Sequence, residues 1–332
     1  MNAQTRFDVV AIGNAMVDVL ANMDDEFLTK HNMPKGMMTL IDAEAAESIY
    51  HHISENGVEC SGGSAANTAV GIAALGGKPA FIGKVADDKL GEVFRKDITK
   101  SGVYFTTPNL ENEKPTARCM VIVSPDAQRT MNTYLGACSK LSRKDIDEDL
   151  IRDAKIVYME GYLWDRPEAK DALAYAVGLA HKYNRKVSLS LSDPFCVNRH
   201  RDSFMRLIKD GVDILFCNED EIKALFDTTD PEEAFALSES LCEIAVVTRG
   251  AKGAIAVCGK ERHEISATPI KKVVDTTGAG DLFAAGFLTG VARGKSVQEC
   301  LQMGALAAAE IISHYGARPE TPLRELIAEK IG

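Results

Sequence analysis

The sequence predicts an α/β fold built on a largely parallel sheet. Two observations carry this: short runs rich in Val, Ile and Phe recur along the chain, and stretches with helical spacing fall between many of them. Strands of that kind are buried on both faces, and a strand-helix-strand repeat closes through right-handed crossovers.

In chain order, the expected strands are FDVVAIG from Phe7, AFIGKV from Ala80, CMVIV from Cys119, KIVYM from Lys155, VSLSL from Val187, DILFC from Asp213, IAVVT from Ile244 and AIAVC from Ala254. The expected helices are AEAAESIYHHI from Ala43, AANTAVGIAAL from Ala65, KLGEVFRKDIT from Lys89, AKDALAYAVGLAHKY from Ala169 and PEEAFALSESL from Pro231, with an almost wholly helical segment from Lys271 onward. Residues 15–59 and 104–136 are richer in polar and turn residues. The second stretch carries a hairpin pattern, TARCMVIV, a turn at Ser124-Pro125-Asp126, then QRTMNTYL. These two pieces are expected to form a smaller, discontinuous lid, and residues 1–14, 60–103 and 137–332 a large α/β domain.

Charge and composition narrow the function. The 332 residues hold 38 Lys and Arg against 48 Asp and Glu, a formal charge of −10, which supplies no basic field for nucleic acid or anionic lipid. The longest apolar runs fall short of the roughly 20 residues that cross a bilayer, and the first residues lack a signal-peptide pattern, so the expected location is cytoplasmic. The eight cysteines are scattered without a Cys-x-x-Cys pair and read as small buried hydrophobes, which disfavours a zinc site or disulfide framework.

The strongest local signal is Asp275-Thr276-Thr277-Gly278-Ala279-Gly280-Asp281, followed at once by the apolar helix LFAAGFLTG. Small residues at 278 to 280 let backbone N–H groups approach a ligand at a helix N-terminus, where the macrodipole favours an anion. Asp281 in that first turn is placed to accept a proton from an attacking hydroxyl, an arrangement suited to phosphoryl transfer. The competing reading is an acidic cap after a glycine turn.

Three further elements accompany it. Gly62-Gly63-Ser64-Ala65-Ala66-Asn67 opens a helix, with paired glycines for close approach and an Asn67 carboxamide to offer a ligand hydroxyl; an ordinary glycine-rich helix start is the alternative. Asn218-Glu219-Asp220-Glu221 follows a strand end, where oxygen ligands suit hydrated magnesium, or where an acidic first turn simply begins a helix. Val247-Thr248-Arg249-Gly250-Ala251-Lys252-Gly253 is a strand end and tight turn that could admit a nucleotide against its backbone, or a plain hairpin turn. Gly294-Lys295-Ser296 mimics a P-loop ending, but the earlier glycine that motif needs is replaced by Thr289. The histidines show no metal-ligand spacing.

Together these elements resemble the PfkB-type, ribokinase-like family of sugar and nucleoside kinases, in order and across nearly the whole chain. The resemblance implies a three-layer α/β/α domain with a mainly parallel central sheet and a small β-sheet lid. It further implies Asp281 as catalytic base, the Gly278, Ala279 and Gly280 amides as anion hole, and Gly62, Gly63 and Asn67 on the acceptor side. Asn218 and Glu221 would organise Mg2+ and phosphate through water, with Thr248, Gly250, Gly253 and Asp275 on the ATP side. A potassium ion beside the Asp275 loop occurs in some relatives.

Within the family, Gly13-Asn14-Ala15-Met16-Val17-Asp18 resembles the adenosine kinase branch, which implies Asp18 on ribose hydroxyls and Asn14 near the base; many sugar kinases of the family also begin Gly-x-x-x-x-Asp. The stretch from Arg118 to Asn132 resembles that branch's lid strands and implies Arg129 as a phosphate contact, a strand-pairing surface arginine being the alternative. Met38, Leu40, Met120, Leu135 and Tyr162 are candidates to line a flat apolar cleft. The leading expectation is ATP- and magnesium-dependent phosphorylation of a nucleoside 5′-hydroxyl, adenosine first. A kinase for ribose, fructose or a keto-deoxy sugar acid stands second, and a non-catalytic nucleoside sensor third. Monomer and homodimer both remain open.

Overall fold

The computed structural model describes residues 5–55, 57–126 and 128–331. Positions 1–4, 56, 127 and 332, which the expected domain ranges include, lie outside the described residues. From the N-terminus the chain forms β1 (Phe7–Ile12), β2 (Met16–Asn22), α1 (Asp25–Lys30), β3 (Met38–Leu40), α2 (Ala43–Ile53), β4 (Val58–Gly62), α3 (Ser64–Ala74) and β5 (Pro79–Ile82). It continues with α4 (Lys89–Lys100), β6 (Tyr104–Phe105), β7 (Ala117–Val123), β8 (Arg129–Tyr134), α5 (Glu148–Arg152), β9 (Ala154–Glu160), α6 (Pro167–Lys182), β10 (Lys186–Ser190) and α7 (Pro194–Gly211). The last part holds β11 (Ile214–Asn218), α8 (Glu219–Phe226), α9 (Pro231–Ser238), β12 (Ile244–Thr248), β13 (Ala254–Cys258), β14 (Glu261–Ile265), α10 (Ala279–Ala292), α11 (Val297–Ile311) and α12 (Leu323–Ile331).

Among the described residues, nine strands form the large sheet in the order β14-β13-β12-β11-β10-β9-β1-β5-β6. From β6 to β12 every pairing is parallel, and β13 and β14 add an antiparallel edge. Its apolar strands feed two separate cores because alternate side chains leave opposite faces. Val9, Ala11, Ile156, Tyr158 and Phe216 pack with α3, α10 and α11, whereas Val10, Ile12, Val157, Met159 and Cys217 pack with α6, α7 and α8. The result is the expected three-layer α/β/α arrangement. The Gly294-Lys295-Ser296 segment turns out to cap α11, Ser296 and Glu299 bonding each other reciprocally in a capping box.

A second sheet, ordered β3-β8-β7-β2-β4, stands apart from the first. The predicted hairpin is its β7 and β8, paired antiparallel from Arg118 opposite Tyr134 to Val123 opposite Arg129. One face of this sheet packs Val17, Val19, Met120 and Ile122 against Ala46, Ile49 and Ile53 of α2. The sheet does not follow the expected lid edges residue for residue: β4 runs to Gly62, past position 59, and β6 pairs with β5 in the large sheet.

Candidate active site

The parallel strands of the large sheet end at one rim, where Asn14, Glu160, Asn218 and Thr248 follow or close β1, β9, β11 and β12. Opposite that rim stands the N-terminus of α10. Gly278 caps it in the left-handed region (φ +79°), a conformation glycine adopts without cost, and a Cβ there would lie 2.9 Å from Cβ of Ala317. Ala279 N–H is spent on Thr276 O at 3.2 Å, but no protein acceptor among the described residues meets the N–H groups of Gly278, Gly280 or Asp281. A Cβ built on Gly280 would touch nothing within 4 Å. The loop therefore presents free donors and open space at the positive end of a 14-residue helix.

Asp281 points from this turn into the cleft. Ser64 Oγ donates to its Oδ1 at 2.6 Å, and Asn67 Nδ2 donates to its Oδ2 at 2.9 Å. Burial pushes the Asp281 carboxyl above the usual range, while these two hydrogen bonds and the Arg318 guanidinium pull it back. Arg318 Nη1 donates to Asn67 Oδ1 at 2.6 Å, and Nη2 donates to Ser61 Oγ at 2.8 Å and to Ser61 O. Ser61 is anchored in turn on Asp97.

Asp18 lies on β2, and its carboxyl is pushed up to about 6 by burial, against the opposing charges of Arg318 and Arg129. Gly62 leaves the space that its side chain fills. Gly63 (φ +101°) is required by the backbone itself, since a Cβ would lie 2.1 Å from Asn14 O. Asn14 is fixed rather than free: its N–H and Nδ2 both donate to Glu160 Oε1, at 2.9 and 2.6 Å. Glu160 Oε2 accepts from Ala65 N at 2.8 Å, so one fully buried carboxyl ties β1 to the start of α3. Burial pushes Glu160 up to about 7, three N–H donors opposing.

Register defines the inner face of the small sheet. Asp18 lies opposite Cys60 on β4 and Cys119 on β7, Leu20 opposite Val58 and Val121, and Asn22 opposite Val123. Cys119 and Val123 in turn face Thr133 and Arg129 on β8. Leu20, Asn22, Val58, Val123, Arg129 and Tyr315 line a cavity of about 730 Å³. Two residues of strand span about 7 Å, so this apolar wall begins one side chain beyond Asp18. Met38 and Leu40 pair with Met131 and Thr133 and share that face, both largely exposed. Met120 does not: it pairs with Val19 and Asn132 and is buried in the core against α2, because a one-residue offset in a strand reverses the face. Leu135 lies just past β8, and Tyr162 is 44% exposed, its phenol pushed up by burial and by Asp193, Asp281 and Glu221. Burial and the Asp18 charge push the Cys60 and Cys119 thiols up to about 12.

Arg129 crosses from the small sheet to the α10 loop. Its Nη2 lies 2.8 Å from Asp275 Oδ2, its Nη1 donates to Thr277 Oγ1 at 3.2 Å, and its guanidinium stacks on Tyr315. Asp275 is otherwise consumed within the protein, accepting from Thr277 N and Oγ1 through Oδ1 and from Gly316 N through Oδ2.

Further along the strand-end rim, Asn218 and Glu221 form a capping box: Asn218 Oδ1 accepts from Glu221 N at 2.8 Å, and Asn218 N donates to Glu221 Oε2 at 3.0 Å. Burial pushes Glu221 up to about 7. The oxygen donors of Asn218 and Glu221 are of the kind that hydrated magnesium takes, and among the described residues no cluster of three His, Cys, Asp or Glu side chains could hold a metal ion. Thr248 closes β12 opposite Asn218. Gly250 (φ +56°) faces open space, whereas Gly253 (φ +91°) is demanded by the neighbouring strand, a Cβ there falling 1.9 Å from Ile265 O.

The expected acceptor residues and the α10 turn thus converge on one cleft, and Asn218, Thr248 and Gly250 lie along the strand-end rim. Sequence reasoning did not single out Ser64, Glu160 or Arg318. Ser64 sits inside the Gly62 to Asn67 element and was within reach. Glu160 and Arg318 carry no local pattern, since their partners are 95 to 257 residues away.

A family model described as pfkB family carbohydrate kinase matches residues 30–324. The solved adenosine kinase from Sinorhizobium meliloti is 47% identical, covers 98% of this chain and 99% of its own, and superposes with a TM-score of 0.90. A probable sugar kinase protein from Rhizobium etli CFN 42 gives the same identity, coverage and TM-score. Adenosine kinase 2 of Arabidopsis thaliana is 28% identical over 348 residues, spanning 97% of this chain and 99% of that protein.

Proposed function

The chain belongs to the pfkB family of carbohydrate kinases, and on that premise we propose that it phosphorylates the 5′-hydroxyl of a nucleoside, adenosine foremost, using ATP and Mg2+. Family membership and its relatives make it a phosphotransferase acting on a hydroxyl group of a nucleoside or sugar. The observation that carries the finer reading is the apolar wall that continues from Asp18 along Leu20, Val58 and Val123 into the cavity of about 730 Å³. A free sugar needs little apolar surface beyond its own C–H faces, whereas a ribose bearing a flat ring needs an extended one next to its hydroxyl-binding carboxylate.

In this reading Asp18 accepts hydrogen bonds from the ribose hydroxyls, and Asn67 orients the sugar. Asp281 takes the proton as the 5′-oxygen attacks; its two oxygens already accept from Ser64 and Asn67 and keep lone pairs for it. The free N–H groups of Gly278, Gly280 and Asp281 meet the negative charge on the transferred group, which ATP supplies when bound. Arg129 adds charge from the small sheet, which acts as a lid excluding water. Thr248 and Gly250 border the nucleotide, Gly253 and Asp275 shape its loops, and Asn218 with Glu221 holds hydrated magnesium at one remove. A potassium ion beside the Asp275 loop belongs to the same proposal, as does a cytoplasmic monomer or homodimer with small molecules as its partners. No helix among the described residues is long and apolar enough to cross a membrane.

A sugar acceptor is the second reading, favoured by the equal resemblance to the Rhizobium etli protein. ADP formation from ATP and magnesium is the test, across adenosine, inosine, guanosine, cytidine, ribose, fructose, 2-keto-3-deoxygluconate and no acceptor. Turnover confined to adenosine supports the proposal. Preference for a free sugar keeps the mechanism and overturns the substrate, while nucleotide binding without turnover of any acceptor points to a sensor.

A further inference from the structure

Arg318 lies far in sequence from every motif that drew attention to the site, yet its guanidinium reaches the centre of it. Its Nη1 donates to Asn67 Oδ1 at 2.6 Å, and Asn67 Nδ2 donates to Asp281 Oδ2 at 2.9 Å. A carboxamide is nearly symmetric in shape and opposite at its two ends, one an acceptor and one a donor. Which end meets a neighbouring carboxylate is decided by what stands at the other end. Arginine can only donate, so its presence at Oδ1 leaves the N–H end for Asp281; a reversed amide would set donor against donor at Arg318 and oxygen against oxygen at Asp281.

We propose that Arg318 is a positioning residue for phosphoryl transfer, fixing the Asn67 carboxamide so that its N–H end holds the carboxylate of Asp281. The inference rests on the kinase reading above. Arg318 is itself held rigid, since Nη2 donates to Ser61 Oγ and Ser61 O, and Ser61 donates to Asp97 through both N and Oγ. The relay therefore runs from α4 through Arg318 and Asn67 to the base. The groups that face Asp281 from other elements are Asp18 on β2, Tyr158 and Glu160 on β9, and Tyr162 just after it. Arg318 is the cation whose charge acts on Asp281 against them, and burial otherwise disfavours the ionised base.

The test is steady-state kinetics from pH 5 to 9 on the full chain, with its best acceptor, for wild type, Arg318→Gln, Arg318→Met, Asn67→Ala and Arg318→Met/Asn67→Ala. Gln keeps a donor toward Asn67 but no charge; Met keeps neither. Arg318→Met is expected to lower kcat about 100-fold with the KM for ATP unchanged, and Arg318→Gln, which still donates to Asn67, to recover most of that loss. The acidic limb of the kcat profile should move to higher pH by about one unit in Arg318→Met, because a less stabilised carboxylate binds its proton more readily. On the Asn67→Ala background, Arg318→Met should cost little more, since the residue it acts through is gone. Equal cost on both backgrounds, or a limb that stays in place, overturns the inference. Should Arg318→Met fail to fold, the Arg318→Gln profile decides by the same rule: a kcat as low as that of Asn67→Ala overturns it. A wild type that turns over no acceptor sinks the kinase reading itself, and this inference with it.

Discussion

The Asp18 side chain reaches diagonally from β2 over Gly62 of β4 with no room for a methyl group between them: a Cβ on Gly62 would lie 2.3 Å from Asp18 Oδ2. The obstacle is the far end of a short side chain, not backbone, so Gly62→Ala should rotate the carboxylate rather than unfold the sheet. We expect the acceptor KM to rise about tenfold or more, the loss of one charged hydrogen bond, with Tm little changed. An unaltered acceptor KM would remove Asp18 from the acceptor site.

The Asp18 carboxyl, at about 6, titrates near neutrality. Its ionised form accepts hydroxyl hydrogens through both oxygens; protonation turns one oxygen into a donor. The acceptor kcat/KM should therefore fall as pH drops through about 6, and Asp18→Asn should raise KM and flatten that dependence. A pH profile unchanged by Asp18→Asn assigns the titration elsewhere.

Asp281→Asn replaces the proton acceptor with a carboxamide that cannot take a proton. Turnover should drop by about 10² to 10⁴, the usual contribution of general base catalysis, while ATP binding measured by calorimetry persists. In the wild type, the acidic limb of kcat should lie above the pH of an ordinary carboxylate, because burial raises this one. Near-normal turnover in Asp281→Asn excludes it as base.

Leu20→Asp places a charge on the apolar wall next to Asp18. For a nucleoside acceptor, KM should rise about 10- to 100-fold as the ring loses its apolar contact and meets a carboxylate. Turnover of ribose, if measurable, should change little. Equal effects on adenosine and ribose would show that the wall does not contact a base.

Glu160→Ala leaves the N–H groups of Asn14 and Ala65 without their buried acceptor. The expected cost is about 3 kcal/mol, from leaving these donors unsatisfied. A denaturant titration should show the midpoint falling accordingly, and an unchanged midpoint would mean that water replaces the carboxylate.

The large sheet was legible because β1, β5, β9, β11, β12 and β13 carry consecutive apolar residues, which is what burial on both faces demands, while β10 alternates Val187 and Leu189 with serines. Strands β2 and β4 were not, since their cleft-facing positions carry Asp18, Asn22 and Cys60 and interrupt the apolar run where the site needs polar groups. Helix α7 was hidden by the charged stretch from Arg199 to Arg206 and by a non-helical backbone at His200. The α10 turn could be read because its donors and carboxylate are contiguous. Arg318 and Glu160 could not, because their meaning arises only when β4, α3 and α10 come together. Met120 shows the opposite failure, a side chain of suitable type placed by strand alternation on the outer face.

Cys60 and Cys119 stand directly beside Asp18 on the neighbouring strands, Cys119 buried and Cys60 half-buried. With thiols at about 12, roughly one molecule in 100,000 carries either as thiolate at pH 7. Alkylating reagents and peroxide attack the thiolate, so burial first and the Asp18 charge second shield both sulfurs from electrophiles. The strands that flank Asp18 are thereby kept chemically inert where they meet it.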